Sequence, residues 1–140
     1  MALIGRLHPV LVHFPIALIL AASGCEIVAI ATRGREWHTA AVANLRIGTA
    51  FALVATIAGW LFADSTMLEP TSLLQWHRWG GACATLAAAG AVILSAGSFA
   101  RRSSHSIWIY RTALGAAAAL VGITGHLGGV LVWGADFFRL

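Results

Sequence analysis

The chain has 140 residues, 59% apolar and only 10% charged, with a mean hydropathy of +0.84. Soluble domains run at about 45–50% apolar and about 25% charged, so composition excludes an ordinary soluble domain, a disordered tail and a coiled coil. Nine basic residues, all arginine, against five acidic ones give a net charge of +4. Sparse arginines on an apolar chain fit the flanks of membrane spans rather than a phosphate-binding face, which excludes nucleic acid as a partner and makes membrane lipid the first one.

A helix needs about 20 mostly apolar residues to cross a bilayer. Four stretches supply them, over residues 10–31, 43–63, 79–100 and 107–133. The first has no signal-peptide pattern: two prolines, two histidines and a single arginine precede its apolar run. Pro9 suits a first helical position with His8 at the cap, and Pro15 then kinks the helix; alternatively, the regular helix begins at Pro15 after a bent lead-in over 8–14. Connectors are predicted over Thr32–His38, Asp64–Gln75 and Arg101–Ser106. Pro70 ends what precedes the third helix, where Ser72 and Gln75 have capping-box spacing. Short connectors make successive helices antiparallel neighbours, so the predicted fold is all-α: a single-domain integral membrane up-down four-helix bundle over 1–140. No repeat of 20–50 residues is visible. Cys25 and Cys83 lie in apolar runs and read as small buried hydrophobes without a disulfide.

The arginines orient the bundle. The first and third connectors carry Arg33, Arg35, Arg101 and Arg102, with Arg46 and Arg111 close by; the opposite side has Arg6, Arg78 and Arg139 offset by Asp64, Glu69 and Asp136. The positive-inside rule then puts the first and third connectors in the cytoplasm and both termini outside, in a multi-pass bacterial cytoplasmic membrane protein. Trp60, Trp76, Trp79 and Trp133 fall near the outer boundary, and Trp37, Trp108 and Tyr110 near the inner one.

Each helix has small residues at three/four spacing: Ala17, Ala21, Gly24 and Val28; Gly48, Ala52, Ala55 and Gly59; Gly81, Ala84, Ala88, Ala91 and Ser95; Gly115, Ala118, Gly122, Gly125 and Gly129. Such stripes let membrane helices pack closely, and they predict the seams. His38 and His105, in or beside the cytoplasmic connectors, read as solvated. His8, His13, His77 and His126 lie toward the outer side. His13 and His77 each stand four residues before a stripe position, and His126 is placed on the inward arc of the fourth helix.

Ionisable residues inside a membrane point to function, and several imidazoles at one depth point to a ligand set. Carboxylates and thiols are not gathered with these histidines, which disfavours di-iron, Cys-zinc and blue-copper sites. Haem suits the composition: it needs one or two imidazoles and apolar walls, and Gly125 and Gly129 beside His126 would leave room for a flat ring. His126, His13 and His77 are the candidate iron ligands, and Arg78 is a candidate partner for a propionate. Asp64 either orients a histidine or belongs to the connector. Glu26 pairs with Arg46 or Arg111, or else serves a proton path or a quinone site.

Three segments carry a resemblance. His8-Pro-Val-Leu-Val-His-Phe-Pro-Ile-Ala-Leu18 resembles the opening of a family of small bacterial membrane proteins of undefined function. Trp76-His-Arg-Trp-Gly80 and Gly125-His-Leu-Gly-Gly-Val-Leu-Val-Trp-Gly-Ala-Asp136 resemble segments of one branch of it, some of whose members carry a fused cytochrome c-like domain. The resemblance implies a redox setting on the outer side, with the family's histidines falling on His8, His13, His77 and His126. Many branch members have a further histidine where this chain has Trp133, which implies fewer cofactors here.

Together these readings predict a membrane b-type cytochrome, an electron-transfer subunit rather than a stand-alone enzyme. It would hold one haem b, or two, near the outer face, and exchange electrons with quinol and with a c-type cytochrome or a larger respiratory complex. The rivals are a structural subunit without cofactor and a copper or zinc protein using His8, His13 and one further imidazole.

Overall fold

The computed structural model describes residues 5–65, 71–101 and 104–138. A helical turn, His8–Leu11, leads into four long helices: α1 (His13–Thr32), α2 (Arg35–Ser65), α3 (Ser72–Arg101) and α4 (Ser104–Trp133), followed by a 3-10 turn at Ala135–Phe138. There is no strand among the described residues. All four helices are long and apolar enough to cross a membrane. Each packs against its chain neighbours, and α4 closes against α1, so α1 lies diagonal to α3 and α2 to α4.

The lead-in breaks at Val12, between the two helical pieces. Pro15 has no N–H to offer the Leu11 carbonyl, so the ladder lapses there. Pro15 then falls in the first turn of α1, where a missing donor costs nothing. At its other end α1 stops on Arg33, in the left-handed region with φ 56°, and the Gly34 amide donates to Thr32 Oγ1 at 3.2 Å.

The connectors are shorter than predicted. Residues 35–38, with the polar side chains of Arg35, Glu36 and His38, belong to α2 instead of a loop, so Arg33 and Gly34 alone join α1 to α2. With 31 residues, α2 is about 46 Å long and overshoots the hydrocarbon layer of about 30 Å. The cap of α3 is Thr71 rather than Ser72: Leu74 N–H donates to Thr71 Oγ1 at 3.2 Å. Pro70, Glu69 and Arg139 lie outside the described residues.

The core is narrow and built mostly of alanine. Ile19, Ala22, Leu45, Ala88, Ala91, Tyr110, Leu114 and Ala117 are fully or almost fully buried. The predicted stripes on α2 and α3 are the seams. That on α1 is not, and that on α4 is only in part: Ala17, Ala21, Gly24, Gly115 and Gly122 face outward, while Ala118 is buried and Gly125 lies against Ile16. On these two helices larger side chains fill the centre, Ile19 from α1 and Tyr110, Leu114 and Val121 from α4, and they turn the small residues away. Large apolar side chains such as Leu86 and Ile93, more than 70% exposed, cover the outside, as a lipid-facing surface requires. Exposed Trp76, Trp79 and Trp133 ring one end, and Trp37 and Trp108 mark the other.

The two hairpins, α1–α2 and α3–α4, share one register. Pro15, Ile19, Ala22 and Glu26 are buried on α1, and Ala84, Ala88, Ala91 and Ser95, each 69 positions later, are buried on α3. Ala41, Leu45, Gly48 and Ala52 on α2 correspond in the same way to Tyr110, Leu114, Ala117 and Val121 on α4. The bundle is thus two copies of one helical hairpin around an approximate two-fold relation.

Candidate functional site

At the tryptophan-rich end of the bundle, His8 and His77 meet across the α1–α3 diagonal. Their ring centres are 6.1 Å apart and their planes stand at 77°. His8 Nδ1 is 2.8 Å from the Ala55 carbonyl oxygen of α2, and His77 Nδ1 is 3.0 Å from the Thr124 carbonyl oxygen of α4. A carbonyl can only accept, so each Nδ1 carries the proton and each Nε2 keeps its lone pair. This is the tautomer in which histidines ligate a metal through Nε2 while a backbone carbonyl fixes the ring.

The two anchors are equivalent. Each histidine reaches 47 positions along the chain to its carbonyl. Each ring also lies over a glycine four residues beyond that carbonyl. A Cβ on Gly59 would stand 2.7 Å from His8 Cε1, and one on Gly128 would stand 2.9 Å from His77 Cε1. Both separations are shorter than real Cβ contacts, so the rings depend on bare backbone there.

Arg78 follows His77 and is largely buried. Its Nη2 donates to Asp64 Oδ1 at 3.1 Å, its guanidinium lies 4.1 Å from the Trp60 ring centre, and its Nε is buried without a partner. Trp60 packs edge-on against Trp79 at 5.4 Å. Asp64 therefore belongs to the last turn of α2 and holds Arg78, not a histidine.

The other predicted site residues are not brought to this pair. His13 is exposed on the outward-turned stripe of α1, and His126 is exposed on α4. The inward arc there runs through Val121 to Thr124 and Gly128, and His126 lies off it. Gly125 serves helix contact: a Cβ there would meet Ile16 Cδ1 at 3.2 Å. Gly129 is partly buried beside Gly128. Among the described residues no group of three or more His, Cys, Asp or Glu side chains is gathered for a metal ion. The cysteines are free.

The opposite end holds a second polar group that the sequence reading divided. Because α2 begins at Arg35, His38 is helical and turns inward, where it bonds Glu26 through Nδ1. It is not a solvated loop residue; His105 is exposed, as expected. Arg111 Nε donates to Glu26 Oε2 at 2.9 Å, so the predicted pairing falls on Arg111 and not Arg46. Tyr110 packs edge-on against His38 at 5.5 Å, and its hydroxyl is buried beside the Glu26 carboxylate.

The fold and its apolar surface define an all-α, four-helix membrane protein with a paired-imidazole site at one end. A family model described as "Predicted membrane protein (DUF2231)" matches residues 6–137, and the chain belongs to that family. No curated protein and no solved structure matches it.

Proposed function

We propose that this protein is a b-type cytochrome, a membrane electron-transfer subunit in which His8 and His77 would hold a single haem. The observation that carries this reading is the matched state of the two imidazoles, each fixed through Nδ1 by a backbone carbonyl and packed against the other. His8 and His77 would hold the iron between them, and their ring centres stand 6.1 Å apart. A donor set of two neutral imidazoles suits a group that brings its remaining ligands with it. It falls short of the three or four protein ligands of a zinc site. The unpartnered Nε of Arg78, buried next to His77, is a donor suited to a propionate.

Haem supplies one-electron chemistry. The chain supplies the ligands, a low dielectric and a position in the membrane. The arginines around the first and third connectors support an outer position for the histidine end, where a c-type cytochrome or a larger respiratory complex would be the partner, with membrane quinol as the lipid-soluble one.

An absorption spectrum of protein purified from its native membrane tests the reading. A Soret band that shifts on reduction and is lost in His8→Ala and in His77→Ala supports it. Absence of haem from the wild-type protein overturns it, and metal analysis then separates copper or zinc from a purely structural subunit.

A further inference from the structure

We propose that the groove between α1 and α4, at the Glu26 end of the bundle, binds the headgroup of a lipid-soluble quinone. The groove measures about 240 Å³ and is lined by Ser23, Glu26, Ile27, Ile30, Trp108 and Arg111. It faces the lipid, since Ile27 and Trp108 on its walls are 67% and 54% exposed.

The hairpin correspondence shows that the fold does not require charge here. Glu26 corresponds to Ser95, His38 to Ile107, Arg111 to Val42 and Tyr110 to Ala41. The counterpart positions, Ser95, Ile107, Val42 and Ala41, carry no charged side chain. Burying a carboxylate with an arginine and a histidine is therefore particular to one groove, and buried ion pairs are weak contributors to stability.

Ser23 is a second, independent observation. Hydroxyls on membrane helices commonly turn back to a carbonyl one turn earlier, and Thr32, Thr39, Thr49 and Thr112 do so at 2.7–3.0 Å. Ser23 Oγ does not; it is buried, without a partner, on the wall of the groove. Gly115 adds bare backbone on the α4 side, where a Cβ would meet nothing within 4 Å.

These features select the occupant. An acyl chain would leave Ser23 unsatisfied. A lipid phosphate would set its negative charge beside Glu26. A neutral flat ring with oxygens at its edge can lie against Trp108 and accept from Ser23 and Arg111. In its reduced form it can also donate to Glu26, and its apolar tail can follow Ile27 and Ile30. The choice of a redox-active ring rests on the electron-transfer reading. Glu26 lies 18 positions from His8, about 27 Å at the rise of a helix, at the opposite end of the bundle, so the two sites are separate and lose their ligands separately.

The test is titration of decylubiquinone into the protein in phosphatidylcholine nanodiscs, read as tryptophan quenching, with Trp108→Phe defining the local signal. Saturable quenching is expected. Ser23→Ala removes a group bonded to nothing in the chain, so the fold stays intact, and affinity should fall about tenfold. Ser23→Leu should abolish binding. Unchanged quenching in both Ser23 variants, or displacement of the quinone by phosphatidylglycerol, would overturn the proposal. Saturable binding by protein without a Soret band would keep this site and remove the haem. A haem-bearing protein whose quenching is insensitive to Ser23 would do the reverse.

Discussion

Glu26 and Ser95 occupy equivalent positions in the two hairpins, both buried, and only Glu26 is charged. The pair shows what the backbone needs at this level and what has been added to it. Replacing Glu26 alone by serine should destabilise the protein by about 3 kcal/mol, because it leaves Arg111 buried without its carboxylate. Copying the uncharged counterpart positions, with Glu26→Ser, His38→Ile and Arg111→Val together, should restore most of that loss. Thermal unfolding in detergent checks both. A triple variant no more stable than Glu26→Ser would show that the two halves are not equivalent there.

The histidines should divide two and two. His8→Ala and His77→Ala should each lose the cofactor, while His13→Ala and His126→Ala should keep it. Haem content per protein, measured on inserted and folded material, gives the answer. Loss in His126→Ala with retention in His8→Ala would return the ligand assignment to α4.

Gly59→Ala and Gly128→Ala should behave alike, because each new methyl meets an imidazole carbon at under 3 Å. Either ring must shift, so each variant should weaken cofactor retention and cost about 1–3 kcal/mol of stability, as overpacking does. Gly122→Ala is the control: nothing stands within 4 Å of its Cβ, and helix propensity favours alanine by about 1 kcal/mol. If all three variants lose stability equally, the close approach of ring and backbone is not the cause.

Single cysteines at Ser72 and Ser104, in a background without Cys25 and Cys83, should label from opposite sides of the membrane. Ser72 should be accessible from outside, because the arginine-rich connectors resist translocation. Labelling of Ser104 from outside instead would move the histidine pair to the cytoplasmic face.

The four spans were legible because about 20 apolar residues between arginine-bearing connectors admit few other structures. His77 was legible as an inward residue from its place on a stripe that proved to be a seam. The rotation of α1 and α4 was not legible. Small residues permit close packing, but Ile19, Tyr110 and Leu114 gain more from the centre and take it. That rotation carried His13 and His126 outward. The extra turns of α2 were hidden because Arg35, Glu36 and His38 interrupt the apolar run without interrupting the helix. The duplicated hairpin was hidden as well. Its halves share His8 with His77, Leu45 with Leu114 and Gly59 with Gly128, but most other paired positions differ, and it is burial rather than residue type that repeats.

A bundle assembled from two identical hairpins would have to repeat every side chain at both ends. Joining the halves in one polypeptide removes that obligation. One end repeats its arrangement, with His8 and His77 each held by a carbonyl 47 positions on. The other end does not: Glu26 and His38 from the first hairpin and Arg111 from the second form one charged group, and their counterparts Ser95, Ile107 and Val42 are uncharged. The molecule is thus symmetric around its paired imidazoles and asymmetric around its buried carboxylate.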